Sequence, residues 1–175
     1  MEYRVINKKH SRDINLKNEP FSLYGKFIPT YSDGKWDYSI QLFPENEVSE
    51  MCFPDESCDY DDLLKDHVFI GAYDGGICVG LAVLADAMFK YMYLEDLKVS
   101  QGYRKQGIGK ALVEKAAEVA HERNYNGIYT IAQDNNVGAC KFYLSAGFEI
   151  GGFDNHVYRG TPQENKADII FYLDK

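Results

Sequence analysis

The pattern of apolar and polar positions is clearest in the middle of the chain, where apolar runs have the character of strands. Residues 67–73 and 77–85 are rich in β-branched and aromatic side chains and flank Asp74-Gly75-Gly76. Glycine adopts positive φ without steric cost, so this tripeptide predicts a tight hairpin. A third strand is predicted over residues 88–99. This part of the chain therefore predicts an antiparallel meander.

After residue 107 the apolar period becomes helical. One face of segment 107–123 carries six apolar side chains, Ile108, Ala111, Leu112, Ala116, Val119 and Ala120. This spacing predicts an amphipathic helix. A second helix is predicted over 136–145, and strands are predicted over 128–132, 148–153 and 167–173. The second half of the chain therefore predicts a β-α-β-α-β order.

The N-terminal part is less regular. Residues 1–6 predict a first strand, and the apolar stretch 21–29 is followed by the turn residues Ser32-Asp33-Gly34. Next come four apolar residues that alternate with polar ones, as in a half-buried strand: Trp36, Tyr38, Ile40 and Leu42. One or two helical turns are predicted over 60–65.

No repeat, low-complexity tract or long linker divides the 175 residues. The sequence therefore predicts a single domain over residues 1–175. A meander followed by β-α-β-α-β units predicts an α/β or α+β fold with a mixed sheet.

The charge is distributed unevenly. The net charge of the chain is −8, and residues 45–66 hold nine acidic residues and one basic residue, which accounts for the whole excess. Such a segment repels nucleic acid and concentrates cations, so we expect a cationic partner and no nucleic-acid partner. A solvated acidic loop is an equally good interpretation of the same segment.

Several classes of protein are excluded by what the sequence lacks. The longest uncharged apolar stretch, residues 75–85, is too short to cross a bilayer, and no secretory signal is visible at the start. We therefore expect a cytoplasmic protein with no membrane partner. The four cysteines, Cys52, Cys58, Cys78 and Cys140, form no C-x-x-C pair, so no metal site is predicted. The four histidines show no partner pattern, and no chemistry is assigned to them.

A glycine-rich loop precedes the main amphipathic helix. Arg104-Lys-Gln-Gly107-Ile-Gly109 would place unpaired backbone amides at a helix start, where an anion is favoured. Cations at positions 98, 104, 105 and 110 fit a phosphate-rich ligand. The loop is not a P-loop, since Ile108 stands where the lysine is required. It is not a Rossmann fingerprint either, since Leu112 replaces the third small residue.

The order strand, R-x-x-G-x-G, amphipathic helix resembles the acetyl-CoA signature of the GCN5-related N-acetyltransferase (GNAT) superfamily. The block Asn136-x-x-Ala139-x-x-Phe142-Tyr143, followed by Gly147-Phe148, is similar to the coenzyme-binding helix and final strand of that family. The resemblance implies a mixed sheet of about six to seven strands that splays between the fourth (88–99) and fifth (128–132) strands. It also implies direct transfer of acetyl from acetyl-CoA to an amine in a ternary complex.

The same resemblance implies which residues form the site. Its cofactor-binding residues would be Leu97, Lys98, Val99, Arg104, Lys105, Gln106, Gly107, Ile108, Gly109, Lys110, Asn136, Ala139 and Tyr143. Leu97 and Val99 would act through their main chain, the loop amides would hold the pyrophosphate, and Asn136 would bind the pantetheine.

Tyr143 matches the family's general acid, with a packed aromatic side chain as the alternative. Glu95 and Asp96 are adjacent carboxylates in a strand that otherwise has core character. We expect Glu95 to be the base, directly or through water, and Asp96 to bind the substrate cation. The division of roles between them stays open, as does an ion pair with Lys98 or Lys90. Period two places Glu95 on the face of Leu97 and Val99, unless a bulge turns it.

A second resemblance covers nearly the whole chain and concerns the substrate. The segments Glu19-Pro-Phe21, Gly25-Lys26, Ile28-Pro29, Tyr31, Trp36, Tyr-Leu-Glu-Asp-Leu-Lys-Val and Gln133-Asp-Asn-Asn-x-x-Ala-Cys-Lys-Phe-Tyr143 are similar to the streptothricin acetyltransferases. This implies acetylation of an amino group on the β-lysine arm of streptothricin, and hence antibiotic resistance.

Trp36, Tyr38 and Tyr31 could stack on that substrate, with a role in the core as the alternative. A protein N-terminus, a lysine side chain, a polyamine or an aminoglycoside would suit the acidic segment nearly as well. The alternative outside the enzymes is a module that binds acetyl-CoA without catalysing a reaction. A monomer and a homodimer both fit the sequence.

Overall fold

The computed structural model describes residues 1–87 and 89–175. Its strands are β1 (Glu2–Val5), β2 (Phe21–Leu23), β3 (Gly25–Ser32), β4 (Lys35–Leu42), β5 (Ser49–Met51), β6 (His67–Asp74), β7 (Ile77–Ala85), β8 (Tyr91–Val99), β9 (Gly127–Gln133), β10 (Glu149–Asp154) and β11 (Asp168–Asp174). Its α-helices are α1 (Tyr60–Leu63), α2 (Ile108–Glu122) and α3 (Val137–Ser145). Short 3-10 segments cover Lys8–Asn15, Glu45–Glu47 and Gln101–Tyr103.

Among the described residues, seven strands form one sheet in the order β1-β6-β7-β8-β9-β11-β10. The β8–β9 pair is parallel, whereas β1–β6, β6–β7, β7–β8 and β10–β11 are antiparallel. The predicted mixed sheet of six to seven strands is confirmed. The third strand was predicted from residue 88; Met88 lies outside the described residues, and β8 begins at Tyr91.

The chain divides into two compact units. The first comprises Met1–Glu19, Phe53–Tyr129 and Asp174–Lys175, and the second comprises Pro20–Cys52 and Thr130–Leu173. The chain passes from the first unit to the second within β9. The single domain expected over residues 1–175 stays a prediction.

The core of the first unit lies on both faces of the β6–β7–β8 meander. On one face Phe69, Leu81 and Val83 pack with Ile6, Ile14 and Tyr60 in a buried cluster. On the other face the apolar stripe of α2 is buried, as its period predicts. Gly80 allows the helix to lie close, because a Cβ there would come within 3.0 Å of the Leu112 side chain.

The second unit contains the β3–β4 hairpin and α3. Its turn residues Asp33 and Gly34 have φ angles of 51° and 78°, so the predicted turn is present. Its aromatic core brings the ring of Phe171 to 5.6 Å from Tyr143 and 6.4 Å from Phe27. Phe148 contacts the Tyr143 ring edge-on at 5.3 Å. In the described residues, no helix has both the length and the apolar character needed to span a bilayer.

Candidate active site

Strand β8 changes its pairing halfway along its length. Tyr91, Met92 and Tyr93 pair with Gly127, Ile128 and Tyr129 of β9, and in the described residues this register ends there. The remainder of β8 continues its ladder with β7 as far as the Gly80–Val99 pair. The C-terminal half of β8 is therefore an edge of the β6–β7–β8 ladder.

The hydrogen-bond pattern shows which backbone groups line this edge. The Ser100 amide donates to the Val79 carbonyl at 2.9 Å, and the register pairs Val99 with Gly80. Backbone groups alternate in direction along an antiparallel strand. Lys98 therefore directs its amide and carbonyl toward β7, whereas Leu97 and Val99 direct theirs away from it. This supports the predicted main-chain role of Leu97 and Val99 more than that of Lys98.

A β-bulge determines where the two adjacent acids point. Asp96 lies opposite Val83 and Leu94 lies opposite Leu84, so Glu95 is the extra residue. Glu95 contacts His67, which lies on the same face of the sheet as Phe69, two residues further along β6. Phe69 is paired with Val83, so Val83 also lies on this face. Simple alternation placed Glu95 on the face of Leu97 and Val99 unless a bulge turned it, and the bulge is present. The bulge turns Glu95 to the same face as Asp96.

Asp96 has a cationic partner, and Glu95 has a histidine. The Lys98 ammonium lies 2.7 Å from Asp96 and also donates to Asn18 at 3.2 Å, so the ion pair that we left open with Lys98 is present for Asp96. Glu95 instead lies 3.0 Å from His67 Nε2. The side chain of Asp96 is 32% exposed and that of Glu95 is 48% exposed, so solvent reaches both carboxylates.

His67 was missed by sequence reasoning. Burial of the ring opposes its charge, but the hydrogen bond to Asp66 and the charge of Glu95 outweigh burial and raise the pKa of His67. His67 begins β6, and Glu95 is 28 residues further along the chain. Only the register of the sheet brings these two residues together.

The glycine-rich loop forms an uncapped helix start. Gly107 is the N-cap of α2, has φ of 83° and provides no capping side chain. The first intrahelical bond runs from the Ala111 amide to the Gly107 carbonyl, so the amides of Ile108, Gly109 and Lys110 precede the helical ladder. A Cβ at Gly107 would meet nothing within 4 Å. The backbone at Gly107 is therefore not crowded by neighbouring side chains.

The start of the loop is held by side chains. Arg104 Nε donates to the Val99 carbonyl at 2.9 Å, and its guanidinium lies 3.4 Å from Glu19. Glu19 also accepts from the Gln101 amide, and the Gln106 side chain donates to the Gly102 carbonyl. Among the loop amides predicted to hold the pyrophosphate, that of Arg104 already donates to the Gln101 carbonyl. It therefore does not fit the predicted role.

Helix α3 carries the other predicted coenzyme-binding residues. Asn136 is its N-cap, and the carboxamide oxygen accepts from the Ala139 amide at 3.1 Å. A bond from Asn136 to pantetheine would therefore come from its Nδ2. Tyr143 is buried against Phe148 and Phe171, which agrees with packing but leaves a role for its hydroxyl as a prediction.

The aromatic residues predicted to bind substrate lie on one face of the β3–β4 hairpin. Tyr31 pairs with Trp36, and the two rings are 4.9 Å apart. Tyr38 stacks on buried Phe27 at 4.6 Å and keeps its other side exposed. Tyr31 and Tyr38 are exposed and Trp36 is half-buried, so none of the three is a buried core residue.

The acidic segment 45–66 is largely exposed, but some of its acids have local partners. Asp59 accepts from the amides of Asp61 and Asp62 at the start of α1. Asp61 pairs with Lys8, and Asp55 accepts from the Asn18 amide. Part of the segment is therefore structural. Within the residues described, no cluster of three or more His, Cys, Asp or Glu side chains could hold a metal ion.

Comparison with known proteins is consistent with this geometry. The model of the acetyltransferase (GNAT) family matches residues 35–148. Streptothricin acetyltransferase A of Bacillus subtilis (strain 168) is 32% identical over 161 residues, 92% of each chain. Streptothricin acetyltransferase of Streptomyces lavendulae is 31% identical over 77% of this chain and 69% of its own.

A solved structure gives the same result for the fold. The crystal structure of a Bacillus anthracis str. Ames protein in complex with acetyl coenzyme A superimposes with a TM-score of 0.85 and 28% identity. The match covers 99% of this chain and 97% of that one.

The fold and the family match define an acyltransferase: the chain belongs to the GNAT family of acetyltransferases. It is an N-acetyltransferase. Within this family it is similar over nearly its whole length to streptothricin acetyltransferases.

Proposed function

We propose that this enzyme transfers the acetyl group of acetyl-CoA to an amino group on the β-lysine arm of streptothricin. The similarity to two streptothricin acetyltransferases, one of them matched over 92% of both chains, carries this proposal. Exposed acids and exposed aromatic rings support a cationic substrate.

The donor is acetyl-CoA, and the first unit offers two features that fit it. The uncapped start of α2 provides amides for a diphosphate, beside the exposed side chains of Lys105 and Lys110. The edge of β8 provides both backbone groups of Leu97 and the amide of Val99 for amide groups of a pantetheine arm, since the Val99 carbonyl already accepts from Arg104. When bound, acetyl-CoA supplies a thioester carbonyl that an amine can attack.

The amine must lose a proton before it attacks. Glu95 is the proposed base, because it is half-exposed and lies at the bulge where β8 separates from its β9 register. Asp96, on the same face, is proposed to hold the second positive charge of the substrate. Its pairing with Lys98 neutralises part of its charge, so its contribution is to substrate affinity and not to the chemical step.

The leaving thiolate must gain a proton or another stabilising partner. Tyr143 is the proposed acid, since its phenol lies in an aromatic environment formed by Phe148 and Phe171. Trp36 and Tyr38 are the proposed platform for the flat cationic part of the substrate.

The substrate is tested by measuring thiol release from acetyl-CoA with streptothricin, spermidine, an aminoglycoside and a lysine peptide. We expect the highest kcat/KM with streptothricin, with the product acetylated on the β-lysine arm. A higher kcat/KM with another amine would show that streptothricin is not the preferred substrate. Binding of acetyl-CoA without thiol release for any of these amines would favour a non-catalytic acetyl-CoA-binding module.

The proposed role of Tyr143 as general acid is tested with the variant Tyr143→Phe. We expect kcat to fall about 100-fold while the affinity for coenzyme A stays within about twofold of wild type. Tyr24→Phe, outside the predicted site, is the matched control and keeps the wild-type kcat. An unchanged kcat in Tyr143→Phe would remove the acid role.

A further inference from the structure

Three side chains of the first unit form a continuous hydrogen-bonded chain. Glu95 Oε2 lies 3.0 Å from His67 Nε2, and His67 Nδ1 lies 2.7 Å from Asp66 Oδ1. Asp66 is 49% exposed, whereas the side chain of His67 is 13% exposed. The chain therefore runs from the proposed base, through a mostly buried imidazole, to a carboxylate in contact with water.

The surroundings of the ring determine its tautomer. Nδ1 faces two acceptors, Asp66 Oδ1 and the Leu63 carbonyl at 3.2 Å, so in the neutral ring the proton belongs on Nδ1. Nε2 is then the acceptor, and it receives a hydrogen bond from Glu95 once that carboxylate has taken up the substrate proton. Phe69 stacks parallel to the ring, with 6.1 Å between centroids and 9° between planes, and this packing fixes its orientation.

We propose that His67 is a proton relay that accepts, from Glu95, the proton that Glu95 removes from the substrate ammonium, and delivers a proton to solvent through Asp66. This relay rests on the proposed function of Glu95 as the base. An ammonium N–H bond breaks and a Glu95 O–H bond forms. The Glu95 O–H bond then breaks as Nε2–H forms, and the Nδ1 proton passes to Asp66 and on to water, which leaves the ring protonated on Nε2. Before the next turnover Nδ1 takes up a proton from water through Asp66 while Nε2 gives its proton to water, and this restores the starting tautomer. One proton is transferred in all, and no electrons are.

The charges around the relay favour an imidazolium intermediate. His67 is flanked by two carboxylates, which raise its pKa against the effect of burial. Near the Glu95 end lie Asp96, the ammonium of Lys98 and the thiol of Cys58, whose pKa is raised mainly by burial. Above the raised pKa of His67 the ring is neutral at rest, and its Nε2 can accept the proton that Glu95 must give up before the next turnover.

The relay is tested by profiles of kcat against pH, in dilute and concentrated imidazole buffer, for wild type, His67→Gln, Glu95→Gln and the control His121→Gln. We expect His67→Gln to lower kcat about tenfold in dilute buffer, with coenzyme affinity unchanged. Imidazole should restore most of that loss by carrying the proton in place of the side chain. Glu95→Gln should not be rescued, and His121→Gln, an exposed residue of α2, should match wild type.

If Glu95→Gln loses activity, two results would overturn the relay while leaving Glu95 as the proposed base. One is a wild-type profile for His67→Gln, and the other is a loss that imidazole does not relieve at any pH, which indicates a structural role. Full activity in Glu95→Gln would instead remove the proposed base, and the relay with it.

A second measurement does not depend on the variants folding. Nitrogen NMR of histidine-labelled wild type should show neutral His67 protonated on Nδ1, and a tautomer protonated on Nε2 would contradict the relay.

Discussion

Two carboxylate sites, one in each unit, differ in how far their charges are removed from water. In the second unit the side chain of Asp134 is 2% exposed, lies 3.0 Å from the Lys26 ammonium, and has a buried Oδ1 with no hydrogen-bond partner among the described residues. In the first unit Glu95 and Asp96 are 48% and 32% exposed. A buried charge depends on its partner, whereas a half-exposed one can exchange protons and bind cations.

The local contacts of Asp134 fit a structural role. Its carbonyl accepts from the Phe27 amide at 2.7 Å, and its own amide donates to Ala167 at 2.9 Å. Lys26 also donates to the Asn165 carbonyl at 3.1 Å. Asp134 therefore holds strand β3, which carries the aromatic face of the hairpin, against the start of the final strand. The carboxylates of Glu95 and Asp96 instead contact the side chains of His67 and Lys98.

The largest effect is expected when Asp134 loses its partner. Lys26→Met should lower the free energy of unfolding by about 2–3 kcal/mol, because a carboxylate is left buried without a counter-charge. Urea denaturation measures this loss. Lys35→Met, an exposed lysine of the same hairpin, is the matched control and should change stability by less than about 0.5 kcal/mol. Equal stability of Lys26→Met and Lys35→Met would contradict the structural role.

A smaller effect, on affinity alone, is expected at the half-exposed site. Asp96→Asn should raise KM for the cationic amine about tenfold, equivalent to about 1.4 kcal/mol, with kcat within about threefold of wild type. Asp62→Asn removes the same charge from an exposed position on α1 and should leave KM near the wild-type value. If both variants raise KM alike, the acids act as a diffuse field and not as a binding site.

The smallest effect is a pH dependence of stability that comes from His67. Because folding raises its pKa, His67 contributes stability below its unfolded pKa of about 6.5, and this contribution is lost as pH rises through the folded pKa. The stability difference between wild type and His67→Gln should therefore be larger at about pH 6 than at about pH 9. Chemical denaturation at both pH values measures it, and a difference that grows with pH would show that the sign is wrong.

Local patterns predicted most of the elements. The hairpin at Asp74-Gly75-Gly76 and helix α2 follow from glycine conformation and a helical apolar period, and both are present. The uncapped start of α2 could also be predicted, because Gly107 has no side chain to cap a helix. These features depend on neighbours within a few residues, so a linear pattern contains the required information.

The partners of the charged residues could not be predicted in this way. The sequence marked Lys26 and Asp134 only through the second resemblance and assigned neither a role; their ion pair requires β3 to lie beside the end of β9. The bulge at Glu95 adds one residue to a strand whose alternation gives no sign of it. His67 had no recognisable partner until the sheet register placed it beside Glu95.

By itself, the sequence determined the order of the main elements, the glycine-rich loop before α2 and the excess of negative charge, because each follows from local conformation or from composition. The tertiary structure decided which acid is buried with a lysine, which acid faces a histidine, and which backbone groups of β8 lie along its open edge. Those properties depend on distances between residues far apart in the chain, and such distances exist only once the sheet has formed.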